Sequence, residues 1–137
     1  MKTIFVIDWV LIPLFVLTAV TGIGLHVAGC GSHEVWHGRA VAHVVASILF
    51  TASVIAHVVT HRGWYKVVLR RGPGRRGRVT AAVSVVFVVV AATGFVLLGV
   101  DGGGSPVGLW HYRIGLAAVV LMSGHVVRRL PRLTRRG

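Results

Sequence analysis

"HVVASILFTASVIAH", residues 43–57, places thirteen uncharged residues between two histidines. "HYRIGLAAVVLMSGH", residues 111–125, returns the same interval. An ionisable ring at each end of so apolar a run is expensive if the run lies in hydrocarbon, and such a residue is kept there for function by default. The first question is therefore whether these runs cross a membrane.

Four apolar segments answer it: about Ile4–Val27, Ala40–Val59, Val79–Val100 and Leu109–Val127. Each is close to the ~20 residues that a helix needs to span the hydrocarbon core. The chain of 137 residues is 55% hydrophobic and 13% charged, with a mean hydropathy of +0.80. A soluble domain of that size cannot hide so much apolar surface. The expected architecture is all-α, an integral membrane four-helix up-down bundle. It forms one transmembrane domain over residues 1–137, with helices at about 4–28, 36–61, 79–100 and 107–130.

A net charge of +12 invites a nucleic-acid reading, but the placement of the charges opposes it. Lys2, Arg62, Lys66, Arg70, Arg71, Arg75, Arg76, Arg78, Arg128, Arg129, Arg132, Arg135 and Arg136 fall on one side of the four segments, and only Arg39 and Arg113 on the other. This is the positive-inside asymmetry, and it puts both termini in the cytoplasm. The loop "RRGPGRRGR" (70–78) then marks topology and meets anionic lipid. No segment is left to build a nucleic-acid recognition fold, so no nucleic-acid partner is expected.

"VAGC" (27–30) has the small residues and cysteine of a lipoprotein cleavage box. The apolar run before it is long for a signal sequence and holds Asp8 and Pro13, so the first helix is expected to be retained. With a single cysteine, Cys30, there is no internal disulfide, no CxxC metal site and no CxxCH for covalent haem. "GCGSHE" (29–34) and "DGGGSP" (101–106) read as the outer turns, rich in turn formers. No sequence repeat of 20–50 residues is evident.

Fourteen residues rise ~21 Å along a helix and fall about 40° short of four full turns. His43 and His57 therefore share a face, one toward each membrane surface, as do His111 and His125. In an up-down bundle the second and fourth helices run parallel. That order pairs His43 with His111 at an outer level and His57 with His125 at an inner one. Each pair offers two imidazoles to one planar group. Zinc or copper wants three or four ligands at one point, whereas haem brings four of its own and needs two axial histidines. The expected cofactors are two non-covalent haems b.

Gly22 and Gly94 lie on the first and third helices near the outer level, where small residues let a macrocycle approach, although ordinary helix packing uses them too. Arg39 and Arg113 lie within about a turn of the outer ligands and either pair with propionates or snorkel to the interface. His61 is the rival to His57, being five full turns from His43. Asp8 is expected to pair with an arginine or to line a polar inner pocket. The roles of His26, Cys30, His33 and His37 are not assigned by their spacing.

"TGIGLH" (21–26), the His43…His57 ladder running into "HRGWYKVV" (61–68), and the His111…His125 ladder together resemble the small bacterial flavinylation-associated, cytochrome-like membrane proteins. The paired ladders also resemble the haem-bearing half of cytochrome b from quinol–cytochrome c oxidoreductases. There, glycines flank both haems; here Gly22 and Gly94 match the outer level, while Asp8 and Thr80 stand at the inner one. The resemblance implies a multi-pass protein of the bacterial cytoplasmic membrane that relays electrons. Its expected partners are membrane lipid, a quinone pool or inner donor, and an outer flavin- or haem-bearing redox protein, within a larger complex. The expected role is electron transfer rather than catalysis by the chain alone. The alternatives are a proton or metal-ion transporter with a histidine relay, or a structural membrane subunit.

Overall fold

The computed structural model describes residues 2–27, 33–75, 77–99 and 105–134, with side chains over 5–27, 37–75, 77–99 and 105–131. Among these residues the chain is helical, with no strand. The helices are α1 (Lys2–Val27), α2 (His33–Thr60), α3 (Arg62–Arg71), α4 (Arg78–Leu98) and α5 (Pro106–Thr134). Four of them are long and apolar enough to cross a membrane, over Phe5–Val27, His37–Thr60, Arg78–Leu98 and Pro106–Pro131. Cys30, Arg76, residues 101–104, Arg135 and Arg136 lie outside the described residues, as do the side chains of His33 and Arg132.

The four long helices match the expected segments to within a few residues, but α3 is an addition to the expected four. Only its last two residues, Arg70 and Arg71, had read as the start of the basic loop 70–78. Arg62, Lys66 and Arg70 recur every fourth residue, so they share one face, with Trp64, Val67 and Val68 on the other side. This spacing makes a short amphipathic helix. Gly72 ends it, with φ of 75° and its N–H donating to Val68 O at 2.8 Å. That left-handed cap suits glycine, and Pro73 then prevents any continuation.

The start of α5 is written equally locally. Ser105 caps it, its Oγ accepting from the Gly108 N–H at 3.1 Å, and Pro106 takes the first helical position, where its missing donor costs nothing. Pro13 sits inside α1 and leaves the Trp9 carbonyl without its usual donor, a defect that membrane helices tolerate.

The chain divides into two compact units, Met1–Tyr65 and Lys66–Gly137, with the boundary inside α3. The first is an α1–α2 hairpin and the second an α4–α5 hairpin. In the first, Ala46 and Phe50 are buried, with the Phe50 ring 6.0 Å from that of Phe15. In the second, Ala118 is buried, and Val90 packs against Gly115. Phe50 and Ala118 each stand midway along a histidine ladder, so the covered stripe of each hairpin runs through its ladder. Other faces carry valines such as Val20, Val85 and Val120, each at least 63% exposed, which suits lipid rather than water.

Candidate functional site

In the α1–α2 hairpin, His43 turns its ring onto Thr21 and Gly22. Thr21 Oγ1 lies 2.7 Å from Leu17 O and 3.1 Å from Thr18 O, so its single proton is donated back along its own helix. The same oxygen lies 3.2 Å from His43 Nδ1, placed to accept a proton from it, and in that tautomer Nε2 carries the lone pair. Ser47 Oγ is 3.5 Å from Nε2, a long and weak contact that a stronger partner displaces easily. Gly22 makes the approach possible, because a Cβ there would stand 2.8 Å from His43 Cε1.

The α4–α5 hairpin builds the same arrangement from different sequence. Thr93 Oγ1 donates toward Val89 O and Val90 O, both at 3.0 Å, and lies 2.9 Å from His111 Nδ1; His111 also bonds the Val90 backbone. A Cβ on Gly94 would stand 3.1 Å from His111 Cε1. Thus "TG" at 21–22 and "TG" at 93–94 each cradle a ladder histidine. The glycines had been expected to admit a macrocycle; what each admits directly is the imidazole. The two threonines went unread in the sequence. Their signal was that a threonine precedes each of the two glycines.

At the inner level His57 Nδ1 donates to Asp8 Oδ1 at 2.7 Å, with 29% of the His57 side chain and 20% of the Asp8 side chain exposed. Among the described residues Asp8 therefore pairs with a ladder histidine rather than an arginine, because α1 and α2 run antiparallel and bring position 8 to the level of position 57. The His61 ring lies 4.6 Å from that of His57, and Asp8, His57 and His61 hold one ligand atom each within 4.8 Å of one another. His61 is exposed where His57 is half-buried. In α5, His125 is likewise half-buried.

The two outer arginines have protein partners. Arg39 Nη1 donates to Gly24 O at 3.1 Å, closing the last turns of α1, and borders a hollow of about 220 Å³ with Val20, Thr21, Gly24 and Ala42. The Arg113 guanidinium stands 5.7 Å from the centre of the Trp110 ring, a cation–π contact suited to an interface. Both side chains are exposed. Among the described residues the donor set is thus imidazole, with Nδ1 against an oxygen at His43, His57 and His111. This is the usual orientation of histidines that bind metal through Nε2, and it fits axial ligation of haem. No family model, curated protein or solved structure matches the chain.

Proposed function

We propose that the chain is a b-type membrane cytochrome with two haems. His43 and His111 would hold the outer one, and His57 and His125 the inner one. The observation that carries this reading is the repeated threonine–glycine cradle. Two hairpins with different sequences set Nδ1 of His43 and of His111 against a threonine hydroxyl, and each cradled histidine is followed by a second histidine fourteen residues on. Packing alone does not call for that repetition. Bound there, haem supplies a one-electron redox centre, and two imidazole ligands leave no open position for oxygen. Arg39 and Arg113 stand near the outer histidines, where propionates would meet cations. The Asp8 contact favours His57 over His61 as the inner ligand. The role is electron relay between a quinone pool or inner donor and an outer redox protein, in a multi-pass protein of the bacterial cytoplasmic membrane.

The test is the absorbance spectrum of the full chain purified in detergent from haem-replete cells. Dithionite should bring up the sharp α-band of low-spin bis-imidazole haem, and pyridine haemochrome analysis should approach two haems b per chain. A colourless preparation refutes the reading. A second reading has one observation in its favour, the convergence of Asp8, His57 and His61: a divalent cation held at the inner level, as an ion transporter requires. The variant H61A separates the two. It loses zinc binding if the cation reading holds and keeps both haems if the cytochrome reading does.

A further inference from the structure

The chain has three acidic residues, Asp8, Glu34 and Asp101, and only Asp8 falls within the four apolar spans. A lone carboxylate in such a span is costly and is retained where it acts. It lies 2.7 Å from Nδ1 of His57. The same register on α4, fourteen residues before its cradle glycine, holds Thr80. At the outer level the Nδ1 acceptors are the hydroxyls of Thr21 and Thr93. The two levels of the ladder are therefore equipped differently: neutral acceptors at the outer level and a carboxylate at the inner.

The difference acts through the imidazole. A carboxylate that accepts the Nδ1 proton pushes electron density into the ring and makes Nε2 a stronger donor, whereas a hydroxyl does so only weakly. A stronger axial donor and a fixed negative charge nearby both favour ferric over ferrous iron. Resting on the di-haem reading, we infer that Asp8 is a positioning residue that holds the inner haem at a lower potential than the outer one, so that electrons run outward. With haem bound, His57 and His125 would hold the centre that takes electrons singly from an inner donor, and His43 and His111 the centre that passes them to an oxidised acceptor. A quinol donor would give two electrons in succession and release its two protons to water.

The experiment is an optical redox titration of the full, haem-loaded chain in detergent. H57A identifies the inner component by its loss, and H43A the outer. The component lost in H57A is expected to be the lower of the two. D8N is expected to keep both haems while that component alone shifts upward, and D8E to restore it. The low-spin ferric EPR signal of the inner haem should move with it, which a purely structural contact would not produce. Should D8N lose the inner haem, the wild-type order and the D8E potential still decide. The inference is overturned if the inner component is the higher one, or if D8N keeps both haems with both potentials unmoved. A colourless wild-type chain instead overturns the haem reading itself.

Discussion

Gly22 and His43 are fitted to each other so closely that a methyl group on the glycine would stand 2.8 Å from the ring carbon Cε1. The corresponding distance from Gly94 to His111 is 3.1 Å. Alanine gains about 1 kcal/mol over glycine inside a helix, so any loss on substitution reports the ring contact rather than the helix. G22A must push the imidazole away from Thr21, while G94A asks for a few tenths of an ångström. Both variants are expected to lower outer-haem content, G22A more than G94A, with the inner haem retained. Equal losses, measured as haem per chain, would show that the glycines do not act through these rings.

Thr21 Oγ1 and Thr93 Oγ1 stand against Nδ1 of His43 and His111, and partners of this kind are worth about 10–100-fold in metal affinity. T21V should weaken outer-haem retention by that order and T93V by less, since His111 also bonds the Val90 backbone, while T21S and T93S, which keep the hydroxyl, should stay near wild type. Haem transfer to apomyoglobin measures the loss. Valine variants that retain haem as well as the serine ones would remove the threonines from the site.

What could be read from the chain, and what could not, divides along a physical line. Four membrane helices and their ladders are properties of single segments, visible as apolar length and a fixed interval. Helix α3 was also present in the spacing of Arg62, Lys66 and Arg70 but was hidden by its charge, which read as loop. The Asp8–His57 pair and the threonine cradles depend on which residues two antiparallel helices bring to one level. No one-dimensional period encodes that match. Asp8 was left between an arginine partner and a polar inner pocket for this reason: the chain offers fifteen basic residues, and His57 emerges as its partner only when α1 is laid against α2.

If the four spans alternate in direction, thirteen lysines and arginines fall on one side against two on the other, and short loops with such a bias stay in the cytoplasm. A green fluorescent protein fused after Gly137 should therefore fluoresce, and alkaline phosphatase at the same place should be inactive. The opposite pair of results would invert the protein and exchange the inner and outer labels of the two histidine levels.

Relay across the bilayer needs both levels. His43 and His57 are fourteen residues apart on one helix, so the two levels stand ~21 Å apart. An electron crosses such a gap usefully only if each level holds a redox centre. In proteoliposomes, an enclosed reductant should reduce an external impermeant acceptor through the wild-type chain. H57A and H125A should each abolish nearly all of that flux while leaving the outer haem in the spectrum. H43A and H111A should do the same while leaving the inner one. H61A should pass electrons at the wild-type rate, since His61 is exposed beyond the Asp8–His57 pair and is needed only by the cation reading. If H57A removes the inner haem and the flux persists, the two levels do not work in series, and the protein serves a partner on one face of the membrane alone.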